Sequence, residues 1–324
     1  MFQLAEHTLE KGRELRSCVV ETIQEIMSYD DKVTALEADL GGASGFTKIQ
    51  KSNPDRFVQC GIAEANMIGV AAGMSITGFK PFVHTFAPFA TRRVFDQLYL
   101  SGAYAGNTIN IYGSDPGFTV GANGGTHTSW EDVALMKEIP GAIVCDAADD
   151  VQMEWILKEF ANMEGIHYVR GNRKAVRKVY QKGSSFTIGK GNILKEGEDI
   201  LIIAAGQLVS DAMDCAKNLE KEEISAQVID MFTIKPLDQQ LILEEAKGKK
   251  LIVTIENHSI YGGLGSAVAE VMAESNIGVP LKRIGVDEKF GQVGTAEYLQ
   301  EAFGLTAGQM KETIKECLKK TDKK

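Results

Sequence analysis

Between Asp55 and Asp96 the only acidic side chain is Glu64, which heads the small, apolar stretch Gly61-Ile62-Ala63-Glu64-Ala65-Asn66-Met67-Ile68-Gly69-Val70-Ala71-Ala72-Gly73-Met74. An ionised carboxylate buried alone is costly, so such a group is hydrogen-bonded, protonated or functional. Here it is either a first-turn acid favoured by the helix dipole or a group that handles a proton. Two further segments carry reactive types. In Phe82-Val83-His84-Thr85-Phe86-Ala87-Pro88-Phe89-Ala90-Thr91-Arg92-Arg93-Val94-Phe95-Asp96-Gln97, Phe86 and Phe89 either pack in a core or form a flat wall for an aromatic ligand. Ser114-Asp115-Pro116-Gly117-Phe118-Thr119-Val120-Gly121-Ala122-Asn123-Gly124-Gly125-Thr126-His127 is too glycine-rich for a core. Its His127 is either an idle surface residue or one that exchanges protons and donates to an oxyanion at neutral pH. His84 could face the same site; His7, His167 and His258 have no companions. Glu256-Asn257-His258 before Tyr261-Gly262-Gly263-Leu264-Gly265 reads as a tight turn, because the spacing of a dinucleotide-binding glycine motif is absent.

These segments need a scaffold that brings their ends together, and the apolar patterning supplies one. A helix over residues 9–28 hands over to a strand at 33–36 and the loop Gly41-Gly42-Ala43-Ser44-Gly45. Further strands are expected at 57–60, 82–86, 108–112, 142–145 and 167–170, separated by helix-length stretches. This alternation predicts an α/β domain with a mostly parallel sheet, whose ligands sit beyond the carboxyl ends of the strands. A basic, turn-rich stretch over residues 170–185 reads as a solvated connection. Beyond it come strands at 200–204, 227–229 and 251–255 and helices at 209–219, near Leu241 and after Gly265, a smaller α/β domain. The expected division is residues 1–180 and 190–324, with the Lys-rich tail after Cys317 frayed.

A chain of 324 residues suits two domains. With 35 basic against 44 acidic side chains it offers no general surface for nucleic acid or an anionic membrane, although a local basic pocket could hold a phosphate. Five scattered cysteines without metal-ligand spacing suit a reducing compartment. The N-terminus lacks signal-peptide features and no apolar run reaches membrane-spanning length, so a cytoplasmic protein is expected.

Taken together, Phe57-Val58-Gln59-Cys60-Gly61-Ile62-Ala63-Glu64, Thr85-Phe86-Ala87-Pro88-Phe89 with Phe95-Asp96-Gln97, Gly121-Ala122-Asn123-Gly124-Gly125-Thr126-His127 and Phe290-Gly291-Gln292-Val293-Gly294-Thr295 resemble the transketolase family of thiamine-diphosphate enzymes. The resemblance covers almost the whole chain and points to the C-terminal half of a transketolase occurring as a separate subunit. It implies a pyrimidine-binding domain followed by the family's C-terminal domain. It also implies that Glu64 hydrogen-bonds the cofactor's ring nitrogen N1′ and drives its amino–imino tautomerisation, so that a two-carbon ketol unit passes from a ketose phosphate to an aldose phosphate. Phe86 and Phe89 would wall the pyrimidine, and Asp39, in Glu37-Ala38-Asp39-Leu40, would line the cofactor cleft. His127 and Asn123 would meet the substrate, and Arg16, Ser44 and Arg170 would hold the sugar phosphate.

The family's Gly-Asp-Gly magnesium sequence is absent. The resemblance therefore implies an N-terminal partner subunit that brings Mg2+ and the diphosphate end, and assembly as a dimer of heterodimers packed partly through the glycine-rich helix after Glu64. Asn123 and Ser114 stand where many transketolases carry Asp and often His, which leaves the acceptor sugar open. Competing readings are a 1-deoxyxylulose-5-phosphate synthase-like enzyme, the beta subunit of a 2-oxo-acid dehydrogenase, or a regulatory homologue without turnover.

Overall fold

β-branched and aromatic runs become strands wherever both of their faces can be covered, and the chain has enough helices to cover two sheets. In a computed structural model, described for residues 1–6 and 8–321 (the last by its backbone alone), the strands are β1 (Lys11–Glu14), β2 (Val33–Glu37), β3 (Phe57–Gln59), β4 (Lys80–Phe86), β5 (Ile109–Ser114), β6 (Ile143–Asp146), β7 (Ile166–Gly171), β8 (Ala175–Arg177), β9 (Asn192–Lys195), β10 (Ile200–Ala204), β11 (Ala226–Asp230), β12 (Thr233–Lys235), β13 (Leu251–Ser259) and β14 (Leu281–Val286). His7 lies outside the described residues. A seven-stranded sheet has the order β12-β6-β7-β5-β4-β2-β3, and a five-stranded sheet the order β14-β13-β10-β11-β9. Every pairing in the two is parallel except β12 on β6 and β9 on β11. The expected mixed α/β fold, a parallel-sheet domain followed by a smaller α/β domain, is what forms.

The strands read as apolar on both faces because each face meets a different layer. Ile200, Ile202 and Ala204 of β10 join one core with Val19, Ile23 and Ile156, whereas Leu201 and Ile203 join a second with Met67, Val83 and Ile111. Both cores run from the first sheet into the second.

Three expectations change. The first helix begins at Leu15, not Leu9, because Lys11–Glu14 pairs antiparallel with Ala175–Arg177. At Gly12 a side chain would collide with the Asp150 carboxylate, so the close approach of β1 to the helix Asp150–Phe160 needs a glycine there. The stretch read as a solvated connection is instead pinned, since Val176, Val179, Tyr180 and Phe186 are buried and Tyr180 meets Phe2 and Phe186 at ring separations of 5.6 and 4.7 Å. The tail after Cys317 continues the helix Ala307–Thr321, which buries Met310 and Ile314 and pairs Lys311 and Lys315 with Glu222. Residues 322–324 lie outside the described residues.

A buried carboxylate network ties the two sheets together. Asp149, at the N-terminus of the helix Asp150–Phe160, accepts from the Gln152, Val179 and Tyr180 backbone amides at 3.0, 2.8 and 2.7 Å. Asp230, at the end of β11, accepts from Gln152 Nε2 at 2.7 Å and from the Tyr180 hydroxyl. Burial pushes the Asp230 carboxyl up to about 7. A carboxyl raised in the folded state binds more protons there than in the unfolded chain, so its contribution is complete below its unfolded pKa and fades as pH rises towards 7. The urea midpoint should therefore carry a component that falls between about pH 4 and 7, and Asp230→Asn should flatten that fall; an unchanged pH dependence in the variant would refute the assignment.

Candidate functional site

Parallel strands leave their carboxyl ends on one edge of the sheet, and the loops that follow β2, β3, β4, β5 and β7 open there. After β3 the chain turns through Gly61, at φ +69°, and enters the helix Glu64–Ile76. Met67, Ile68, Ala71 and Ala72 bury one face of that helix, which fixes its first residue, Glu64, at the sheet edge. Glu64 is only 4% exposed. Its Oε1 accepts from Arg93 Nη1 at 2.5 Å, while Oε2 meets no protein donor among the described residues.

From Arg93 a chain of planar contacts crosses the site. The Arg93 guanidinium lies 3.8 Å over the Phe89 ring, Phe89 meets the His127 ring edge-on at 5.3 Å, and His127 meets Phe86 at 5.9 Å. The Arg173 guanidinium covers Phe86 at 4.8 Å. Phe86 ends β4, Phe89 follows on the next turn, and His127 closes the loop after β5. Thus the three segments singled out by residue type converge. The residues fit a flat heteroaromatic ring, because planar groups already lie over the phenylalanine faces and one oxygen of the adjacent, nearly dry carboxylate is uncommitted.

The acidic segment after β2 divides in two. Asp39 is exposed, at φ +58°, and its backbone amide donates to Gln59 Oε1 at 3.0 Å. The same oxygen accepts from Gly61, so Gln59 ties the Asp39 loop to the turn before Glu64. The buried acid is Glu37, which accepts from Gln59 Nε2 at 2.9 Å and from the Leu40 amide. Asn123 is exposed on the loop that carries His127.

Two expected phosphate contacts are not available. Ser44 is fully buried, its hydroxyl donating to Leu40 O and accepting from the Phe46 amide. Arg170 is fully buried as well, with Nε 2.8 Å from Asp132, Nη1 3.2 Å from Asp146 and Nη2 donating to Asn257 O at 3.0 Å. Its three nitrogens are all committed, two to carboxylates of the first unit and one to Asn257 of the second. Arg16 stays at the surface, held by Glu14 at 2.8 Å and Ala43 O at 3.3 Å. Its backbone amide donates to Arg173 O at 3.2 Å, which places the two guanidinium-bearing residues side by side. Ser114 and His84 are fully buried, joined at 3.0 Å, behind rather than within the opening. His258, without companions in the sequence, lies 4.0 Å from Asp132 and 3.7 Å from Glu256.

Arg93 and Arg173 were not anticipated as site residues. Their only signal is position: Arg93 stands four residues after Phe89, and Arg173 just beyond the end of β7. Among the described residues no group of three or more His, Cys, Asp or Glu side chains is placed to hold a metal ion, and no helix is long and apolar enough to cross a membrane.

Residues 11–178 match the transketolase pyrimidine-binding domain and residues 189–310 the transketolase C-terminal domain. The 6-deoxy-6-sulfo-D-fructose transketolase subunit SqwH of Clostridium sp. (strain MSTE9) is 43% identical, covering 96% of this chain and 95% of the relative. An apulose-4-phosphate transketolase subunit of Phocaeicola vulgatus is 34% identical, covering 94% and 97%. Among solved structures, a split gene transketolase described as an inactive beta4 tetramer superimposes with a TM-score of 0.86 at 36% identity, covering 95% of this chain and 99% of the other.

Proposed function

The chain belongs to the transketolase family and carries that family's thiamine-diphosphate pyrimidine-binding domain, and from this premise we propose that it is the C-terminal subunit of a two-chain transketolase. The reaction is transfer of a two-carbon ketol unit from a ketose phosphate to an aldose phosphate. The observation that carries the reading is the convergence of Glu64, Phe86, Phe89 and His127 at one edge of a parallel sheet. Thiamine diphosphate, when bound, supplies a carbon nucleophile and an electron sink for breaking the bond next to the ketose carbonyl.

This chain's residues have distinct tasks. Glu64 holds the proton at the pyrimidine N1′, with Arg93 fixing the carboxylate and Phe86 and Phe89 walling the ring. Asp39 lines the rim. His127 donates to the substrate oxygens as charge develops, and Asn123 reads an acceptor hydroxyl. Arg173, with Arg16 beside it, takes the anion-binding task in place of Arg170 and Ser44. A planar, always-charged fork suits a phosphate and equally a sulfonate, the group that distinguishes the substrate in the name of the Clostridium relative.

The missing Gly-Asp-Gly supports an N-terminal subunit that brings Mg2+ and the diphosphate end. On the exposed side of the Glu64–Ile76 helix, Gly69 and Gly73 have nothing within 4 Å of where a Cβ would sit, and Ile62 and Ile76 flank it exposed at 77% and 75%. That face suits close packing of a second pair into a dimer of heterodimers, in the cytoplasm and apart from nucleic acid or membrane.

The test is a ketol-transfer assay with thiamine diphosphate and Mg2+, using xylulose 5-phosphate or a terminally sulfonated ketose as donor and ribose 5-phosphate as acceptor. The expected result is turnover only when this chain is mixed with its N-terminal partner. Turnover by this chain alone, or consumption of pyruvate without ketol transfer, would overturn the proposal.

A further inference from the structure

The loop Pro116 to Trp130 carries Asn123 and His127 and turns through Gly117, Gly121 and Gly124, all at positive φ, between +59° and +71°. Beyond its own internal hydrogen bonds, the loop is seated by the second sheet. Asn257, on β13, is 3% exposed and spends its whole side-chain amide on this loop: Nδ2 donates to Pro116 O at 3.1 Å and Oδ1 accepts from the Phe118 amide at 3.1 Å. Between those two contacts lies Gly117, where the Asn257 Oδ1 overlaps the position a Cβ would take. The amide thus lies flat along the Gly117 backbone and leaves room for glycine alone.

The base and tip of the loop are seated on the same half of the chain. Gly117 donates to Ser129 O at 3.0 Å, closing the loop, and the Ser259 amide on β13 donates to Trp130 O at 2.9 Å. At the tip, Val293 and Gly291 leave no space for a side chain at Gly124 and Gly125, with approaches of 2.6 and 2.5 Å. Asn257 is itself fixed, because its carbonyl accepts from the buried Arg170 of β7.

We infer that Asn257 is a positioning residue, through which the second α/β unit sets the loop that presents His127 to the substrate. The inference rests on the transketolase reading for its kinetic consequence but not for its structural one. Glu64, Phe86 and Phe89 lie on other segments, so loosening this loop should leave cofactor binding alone and fall on the substrate.

The experiment compares the unmodified chain with Asn257→Ala and the near-isosteric Asn257→Asp, each assembled with the N-terminal subunit, and each alone in hydrogen exchange. Asn257→Ala should raise the exchange rate of the Phe118 amide at least about tenfold, since that amide donates to Asn257, whereas Asn257→Asp keeps the accepting oxygen and should leave that amide protected. Thiamine diphosphate affinity should stay within about twofold, while kcat/KM for ketol transfer should fall by about 10- to 100-fold. In a cycle with His127→Ala, the Asn257 substitution should cost little further activity, as expected when one residue acts through the other. If Asn257→Ala does not fold, Asn257→Asp decides the matter by the split between cofactor affinity and kcat/KM, because it keeps the side-chain shape and loses only the donor to Pro116. Unchanged exchange at Phe118 in Asn257→Ala, additive losses with His127→Ala, or equal losses in cofactor affinity and kcat/KM would overturn the inference. An unmodified complex without ketol transfer would instead refute the proposed function, leaving the exchange result to judge Asn257.

Discussion

Glu64→Gln should leave thiamine diphosphate bound and lower kcat for ketol transfer by about 10³-fold, within the range of a lost proton-transfer group. The amide keeps the length and shape of the carboxylate, and Phe86 and Phe89 still offer the ring wall, so binding survives. What disappears is an acid able to share its proton with a ring nitrogen. The position cannot borrow one, because the group in contact with Glu64 is the permanently charged Arg93 guanidinium and the side chain is only 4% exposed. Cofactor binding is read by fluorescence quenching or calorimetry and turnover by the coupled ketol-transfer assay. A variant with more than about a tenth of normal kcat would remove Glu64 from the chemistry, whereas loss of binding and turnover together would make it a structural residue.

The sequence showed the strands well because they are buried on both faces and so written in uninterrupted β-branched and aromatic runs. It drew attention to Glu64 because a lone acid amid small apolar residues is either favoured by the helix dipole or handles a proton, and only the resemblance to the transketolase family favours the second. It was silent on pairings set by the far end of the chain. Lys11–Glu14 looks like the first turns of a helix until Ala175–Arg177 is laid beside it. Thr233–Lys235 gives no hint that it leaves its neighbours to pair with β6 at the edge of the first sheet. The same limit explains why Arg170 and Arg173 cannot be told apart locally. A local reading sees two arginines in one basic stretch, and only the fold supplies Asp132 and Asp146 to the first and Phe86 to the second. Ser44 is lost for a related reason, since the turn that follows β2 consumes its hydroxyl.

Those two arginines should separate cleanly under substitution. Arg170→Met should destabilise the fold by about 3–5 kcal/mol, the cost of leaving buried carboxylates without their cation. The carboxylates concerned are Asp132 and Asp146, 0% and 5% exposed, and burial already pushes Asp146 up to about 6 despite the guanidinium beside it. Loss of Arg170 also frees Asn257 O and with it a joint between the two sheets. Arg173→Lys, by contrast, keeps a cation against the buried Asp115 on a side chain 24% exposed, so stability should fall by less than in Arg170→Met. Lysine cannot stack on Phe86 or present a bidentate fork, so KM for an anionic ketose should rise by about 10- to 100-fold, with a donor lacking the terminal anion little affected. Denaturant unfolding and paired kinetics on charged and uncharged donors check both expectations. A stable Arg170→Met protein whose only defect is a raised KM for the anionic donor would return the phosphate contact to Arg170. It would also require that residue to leave its carboxylates when substrate arrives, and the present geometry gives it no path to do so, because each of its charged contacts lies within the sealed joint between the sheets.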